Sequence, residues 1–314
     1  MKKSRIIFMG TPEFSVPALH ALAKEENFEI ALVVTQPDRP KGRGKKLAPS
    51  PVKEAALELG LDVFQPEKLN TPEGVERLTR IRPDYYVVVA FGQILSQAVL
   101  DIPRVYPINI HASLLPRYRG AAPIQAAVMN MDKETGITTM VMARGMDTGD
   151  MLLKSATPID PDETAQDLHD RLSEIGGRLI VETINRVNAG TLDPEPQDNS
   201  LATKVSMLKK ADGLIDWTRS GKGVCAHINA MTPWPGAFTH LSGKRLKIFR
   251  AVPGERDAGS HRPGEIIRCD GKGIHVATGK GGITILELMG ASGKRLAADA
   301  FLRGHAIDLP ARFE

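Results

Sequence analysis

The chain has 314 residues, 42% of them hydrophobic and 25% charged, which excludes a disordered or fibrous protein and leaves room for two domains at roughly 100–200 residues each. Its longest apolar runs, such as Tyr85–Gly92, fall far short of the roughly 20 residues that span a bilayer, and its two cysteines, Cys225 and Cys269, exclude a disulfide framework or a cysteine-built metal cluster. The net charge of +4 conceals an asymmetry, because residues 205–314 hold 17 Lys/Arg against 10 Asp/Glu while residues 1–204 hold 24 against 27; the basic C-terminal third suits a polyanionic partner, although a solvated cationic surface would look the same.

In chain order, Lys2-Lys3 precede Ile6–Gly10, and Thr11-Pro12-Glu13 cut the apolar stretch short. That pattern reads as a first strand rather than a secretory signal and is consistent with a cytoplasmic protein. Arg5–Met9, Glu29–Thr35 and Tyr85–Ala90 are short apolar runs rich in β-branched or aromatic residues, alternating with helix-period stretches at Val16–Lys24, Pro51–Leu59 and Pro72–Ile81. This βαβα rhythm predicts an α/β fold, a Rossmann-like and mostly parallel sheet with helices on both faces. Val105–His111 and Gly136–Ala143 add strands, and Glu163–Val187 reads as a long closing helix or helix pair. The Pro-, Asp- and Asn-rich stretch 188–200 has no periodicity and marks a linker. After a helix at Gly221–Met231, glycine-separated strands at Arg245–Val252, Gly264–Arg268, Gly273–Thr278 and Gly282–Leu288 predict a small antiparallel barrel of the oligonucleotide-binding type, five strands being about the right size. The expected organisation is a catalytic domain at 1–189, a linker at 190–207 and a β-barrel domain at 208–314.

The first strand ends in Gly10-Thr-Pro12, without the G-x-G-x-x-G that brings backbone against a pyrophosphate, so neither nicotinamide nor flavin is expected despite the fold. No P-loop is present, and the eight histidines show no spacing for a metal site. The stretch from Pro107 to Pro123 is the most informative. Its strand ends near His111, and open α/β sheets bind ligands at the carboxyl ends of their strands. The two-residue period puts Asn109, His111 and Ser113 on one face. A lone strand histidine is more often structural than catalytic, but the neighbouring amide and the Pro/Gly-rich loop favour function here. A second turn, Met146-Asp147-Thr148-Gly149, exposes Asp147, whose carboxylate beside His111 would fix the imidazole tautomer for proton transfer. A nucleophilic triad of Ser113, His111 and Asp147 is disfavoured, since no G-x-S-x-G elbow surrounds Ser113.

Five of the eight residues from Arg39 to Lys46 are Lys or Arg, interleaved with Pro and Gly. This loop follows the second strand on the ligand side of the sheet and should form no regular element. A solvated loop would have such a composition, yet its placement makes a phosphate grip the better reading, through Lys41, Arg43, Lys45 and Lys46.

Taken together, Asn109-Ile-His111, Ser113-Leu114-Leu115-Pro116 with Arg119-Gly120, and Met146-Asp147-Thr-Gly149 resemble the 10-formyltetrahydrofolate-dependent formyltransferases over essentially the full chain. The resemblance implies transfer of a formyl group from 10-formyltetrahydrofolate to the α-amino group of methionine carried by initiator tRNA. It implies Asn109, His111 and Asp147 as catalytic residues, and the pterin near Ser113, Leu114, Leu115 and Pro116 and the Phe91-Gly92 turn. The Gln36–Lys53 segment looks like the tRNA-binding loop of the branch that acts on methionyl-tRNA. Thr232-Pro-Trp-Pro-Gly-Ala-Phe238 also fits the family but does not separate substrates. No metal, membrane or second subunit is implied, so a monomer is expected. Formyl transfer to an amino-sugar nucleotide, hydrolysis of formyltetrahydrofolate, and non-catalytic RNA binding are the rival readings.

Overall fold

Two strands that read as unbroken apolar runs, Ser4–Gly10 (β1) and Tyr85–Val89, form the middle of a seven-stranded sheet and are buried along almost their whole length. Helix-covered parallel strands are apolar on both faces for this reason. The computed structural model describes residues 3–41, 46–254, 261–291 and 293–314. Two compact units divide it. The first comprises Met1–Gly120, Gly136–Thr157 and His169–Lys204, and the second Ala121–Thr135, Pro158–Leu168 and Val205–Glu314. The division therefore does not run only through the Pro-rich stretch, since residues 121–135 and 158–168 group with the C-terminal part.

From β1 the chain continues through α1 (Val16–Lys24), β2 (Phe28–Val34), a ribbon of β3 (Arg39–Lys41) and β4 (Lys46–Ala48), α2 (Pro51–Glu58), β5 (Val63–Phe64), α3 (Pro72–Ile81), β6 (Tyr85–Val89), α4 (Gln97–Leu100) and β7 (Tyr106–His111). Then come β8 (Arg119–Gly120), α5 (Pro123–Met129), β9 (Glu134–Val141), β10 (Met151–Pro158) and α6 (Ala165–Asn188). Serine and threonine caps start two of these helices where the sequence places Pro next: Ser50 Oγ accepts from the Lys53 amide, and Thr71 Oγ1 from the Gly74 amide.

The sheet order is β10-β9-β7-β6-β1-β2-β5. β1, β2, β5, β6 and β7 run parallel, and β9 is antiparallel to β7 with His111 opposite Thr138. The chain winds outward from β1 to β2 and β5, then returns to β6 on the other side of β1. The carboxyl ends of β1 and β6 thus flank the point where the winding reverses, the usual ligand crevice of such sheets. A buried cluster including Ile7, Met9, Leu32, Val34, Leu78, Tyr86 and Val88 backs that crevice.

The basic loop departs from expectation. Arg39–Lys41 and Lys46–Ala48 pair antiparallel, with Lys41 opposite Lys46, so a regular element does form. Pro40 is tolerated because a two-stranded ribbon leaves one edge of each strand unpaired. Gly42, Arg43, Gly44 and Lys45 lie outside the described residues, as does the Lys41 side chain.

After β11 (Lys204–Val205), the second unit continues with α7 (Gly221–Met231), β12 (Ala237–Leu241), β13 (Lys244–Pro253), β14 (Glu265–Asp270), β15 (Gly273–Ala277), β16 (Gly282–Met289), β17 (Arg295–Ala297), α8 (Ala298–Gly304) and β18 (Ala311–Arg312). The sheet order is β12-β13-β16-β15-β14-β18, with β17 on β16, more strands than the five expected. Beyond β18, Phe313 N donates to Gly264 O, while Glu314 exchanges backbone hydrogen bonds with His240 of β12. The tail thereby links β14 to β12 and nearly closes the barrel. Phe313 is buried, stacks on Trp217 with ring centroids 5.4 Å apart, and seals this seam. Trp217 Nε1 donates to Thr239 Oγ1. α7 is buried on nearly every face, packing on β13 and on α5.

Candidate active site

His111 is the last residue of β7 and is buried. Its Nε2 lies 3.0 Å from the Tyr118 carbonyl oxygen. A carbonyl only accepts, so Nε2 carries the proton there. The other ring nitrogen, Nδ1, faces Asp147 Oδ2 at 3.6 Å. Asn109, two residues earlier on the same face, is half-buried, and its side-chain amide makes no hydrogen bond among the described residues. Asn109, His111 and Asp147 therefore share one unit, with Nδ1 of the imidazole facing the carboxylate and the asparagine amide without a partner among the described residues.

Asp147 is placed by the turn between β9 and β10. Its backbone is left-handed, with φ of 53°, a region that costs most side chains energy and that Asp tolerates better than most. Asp147 Oδ2 accepts a 2.8 Å hydrogen bond from the Gly120 amide, which directs the carboxylate inward. Gly149 permits the close approach of two backbones, because a Cβ there would lie 1.8 Å from Val141 O.

Among the residues expected at the pterin, Ser113 and Leu115 are turned to structural use. Ser113 Oγ donates to Arg117 O at 2.6 Å, and Ser113 O accepts from Thr138 Oγ1. Leu115 is buried with Met140 and Met151. Leu114 and Pro116 are half-buried. On the β6 side, Phe91 is buried and Gly92, at φ of 82°, is exposed. Phe91 O accepts from Thr11 Oγ1 and Gln36 Nε2, which ties the turns after β1, β2 and β6 together. Ile94, two residues beyond Gly92, is 85% exposed.

Of the basic residues, Lys46 is described and exposed; Arg43 and Lys45 fall outside the described residues. The ribbon's base is anchored by Asp38, which takes Lys53 Nζ at 2.8 Å and Gln65 Nε2 at 2.7 Å. The hydrogen bond from Gln65, then that from Lys53, holds the Asp38 carboxyl below the usual carboxylate range. Among the described residues, no group of three or more His, Cys, Asp or Glu is arranged to hold a metal ion, and no helix is long and apolar enough to cross a membrane.

Sequence reasoning missed two residues. Arg119, seen only as part of a motif, is buried, and Gln197, inside the stretch read as linker, lies against the Asp147 turn. A polar residue in a Pro-rich stretch carries no periodicity that would reveal such a partner.

A mostly parallel sheet with a histidine at a strand's carboxyl end, a carboxylate facing its ring and an amide without a partner among the described residues suits the site of an α/β group-transfer enzyme. Residues 2–184 match the formyl transferase family and residues 207–306 match its C-terminal domain. The chain is 55% identical to a methionyl-tRNA formyltransferase of Geobacter sulfurreducens, covering 97% of this chain and 95% of that protein. It is 50% identical to that of Citrifermentans bemidjiense, covering 98% and 95%. The chain belongs to the formyl transferase family. The fold is also that of an N-formyltransferase from Helicobacter canadensis solved with folinic acid and dTDP-3-aminofucose, with a TM-score of 0.67 at 19% identity over 91% of this chain and 99% of that one. HypX from Aquifex aeolicus, solved with tetrahydrofolic acid, gives 0.62 at 17% identity over 96% of this chain and 47% of that one.

Proposed function

We infer that the protein transfers the formyl group of 10-formyltetrahydrofolate to the α-amino group of methionine esterified to initiator tRNA, the reaction that prepares this tRNA for translation initiation in the cytoplasm. The observation that supports the chemistry is His111 at the end of β7 with Asp147 facing its ring at 3.6 Å and Asn109 two residues earlier on the same strand. The observation that carries the acceptor is the 50–55% identity, over nearly the whole chain, to methionyl-tRNA formyltransferases.

The residues present suit a folate. Asn109 has an amide free to donate to a formyl oxygen, and the exposed Gly92 and Ile94 border the crevice where the winding reverses. When bound, 10-formyltetrahydrofolate supplies an activated formyl carbon. Asn109 would donate to its oxygen and stabilise the charge that builds there as the methionine amine adds. Asp147 would hold His111 in orientation. His111 would take the amine proton and return it to the departing folate nitrogen, so that formyl-methionyl-tRNA and tetrahydrofolate are the products. Because Nε2 is engaged with Tyr118 O in this structure, that role requires His111 to exchange the contact for the substrate, an adjustment common between free and bound sites. No covalent enzyme intermediate is needed.

The basic segment Arg39–Lys46 would grip the acceptor end, and the barrel unit's excess of Lys/Arg would hold the phosphate backbone. One copy of the chain suffices for this scheme. The test is to incubate the protein with 10-formyltetrahydrofolate and either charged initiator tRNA, a dTDP-amino sugar, or buffer alone. Formyl-methionyl ester in the first tube only is expected. Formate release without acceptor would mean a hydrolase, and a formylated sugar would move the acceptor to another class.

A further inference from the structure

The Asp147 turn is held from the side opposite its carboxylate. Gln197 Nε2 lies 2.8 Å from Asp147 O and 2.7 Å from Gly149 O, so one amide nitrogen spends both of its hydrogens on the two carbonyls that bracket the turn. Gln197 Oε1 accepts from Arg119 Nε at 3.0 Å and from Arg119 Nη2 at 2.7 Å, and Arg119 Nη2 also donates to Asn199 Oδ1 at 2.9 Å. The amide cannot be the other way round, because an oxygen against two carbonyls and a nitrogen against a guanidinium would satisfy nothing. Arg119 and Gln197 are both at least nine-tenths buried. Among the described residues Arg119 has no carboxylate in salt-bridge range, so a buried cation is held by neutral amide oxygens, a costly arrangement if packing were its only purpose. The next residue, Gly120, donates its amide to Asp147 Oδ2. One two-residue strand, β8, therefore fixes the Asp147 carboxylate directly through its backbone and the Asp147 main chain indirectly through the Arg119 side chain and Gln197.

We propose that Gln197, anchored by Arg119, is a positioning residue of the site: its two donated hydrogen bonds hold the left-handed turn that presents Asp147 to His111. This rests on the catalytic reading of His111 and Asp147 given above. Removing the clamp lets the turn relax from the left-handed region and changes the distance across the pair, while the folate and tRNA surfaces are untouched. Groups that orient a reacting residue without touching substrate are typically worth 10–100-fold in activity.

The test compares Gln197→Leu, Gln197→Glu, Asp147→Ala and the double variant Gln197→Leu/Asp147→Ala in steady-state formylation, each checked for folding. Gln197→Leu should lower kcat by about 10- to 100-fold with KM for both substrates changed by less than about threefold. Gln197→Glu is the discriminating variant, because it gives Arg119 a carboxylate partner yet loses both hydrogens for the turn. It should stay folded, melt lower than the natural protein because the two carbonyls lose their donors, and still show the kcat loss. The double variant should be no slower than Asp147→Ala alone, since Gln197 acts only through Asp147. A normal kcat in Gln197→Glu, or a double variant slower than Asp147→Ala by the full Gln197→Leu factor, overturns the proposal. An Asp147→Ala enzyme of normal turnover would instead overturn the catalytic reading on which it rests.

Discussion

Replacing Gly149 with alanine tests the Asp147 turn from the covalent side. A Cβ at this position would lie 1.8 Å from Val141 O and 2.9 Å from Val141 C. Both are backbone atoms of β9, so no rotamer change relieves the clash. Non-bonded carbon and oxygen settle only beyond about 3 Å, so the two backbones must part by roughly 1 Å or more. The hydrogen bond from Val141 N to Asp150 O, 2.8 Å long, crosses the same gap and would lengthen with it, as would the pair of bonds from Gln197 to the turn. Overpacking of this kind costs about 1–3 kcal/mol of stability. The effect on activity should be larger in proportion, because a displacement of about 1 Å at a reacting pair can cost on the order of 10²-fold. Gly149→Ala should therefore remain folded at 25 °C, with a melting temperature several degrees lower, and show kcat reduced by about 100-fold. Thermal unfolding and steady-state formylation of methionyl-tRNA read the two quantities separately. A Gly149→Ala enzyme with kcat within threefold of the natural protein would refute the view that the turn's position governs turnover.

Single changes of Asn109, His111 or Asp147 to Ala should each lower kcat by at least about 10²-fold in a protein that still unfolds cooperatively; near-normal turnover in His111→Ala removes the proposed chemistry. Arg43→Ala should impair formylation of methionyl-tRNA while leaving formyl-folate binding, followed by fluorescence or calorimetry, unchanged, and Lys45→Ala should do less, since a point charge is more easily replaced by its neighbours than a bidentate guanidinium. Phe313→Ala should cost about 3–5 kcal/mol in denaturant unfolding, because it empties a buried site stacked on Trp217 at the seam of the barrel. His227 should give the barrel unit an acid-sensitive stability. Burial, the largest influence, holds its imidazole below the ordinary value of 6.5. As pH falls past about 6.5 the unfolded chain takes up a proton that the folded chain refuses, so stability is fully present above that pH and declines below it. His227→Gln should flatten the decline between pH 7.5 and 5.5 in urea titrations, and an unchanged slope would place the acid sensitivity elsewhere.

The alternation of apolar runs and helical periods was enough to predict a mostly parallel sheet, because strands covered on both faces must be apolar throughout, as β1 and β6 are. Helical periodicity likewise located α2 and α3 at Pro51 and Pro72. The two-residue period placed Asn109 and His111 on one face, and the Asp147-Thr-Gly149 turn was visible as a turn. What the sequence could not supply was pairing between distant segments. That Asp147 faces His111 at 3.6 Å depends on β9 lying antiparallel to β7 and on a left-handed turn held by β8. Local propensity contains none of that information. Ser113 shares the face of His111, and its hydroxyl closes on Arg117 O, a loop contact that periodicity cannot foresee. Gln197 sits in a stretch whose composition says only that no helix or strand continues. Its meaning comes from Arg119, 78 positions away. The barrel shows the same limit: glycine-separated runs revealed four of its strands, whereas its near-closure by Phe313 and Glu314 rests on hydrogen bonds to β12 and to Gly264. Periodicity reports which side of a strand meets the core, and so it determines elements and faces. Only the folded chain, where buried polar groups must each find a partner, decides which of those faces meet and which side chains are left for chemistry.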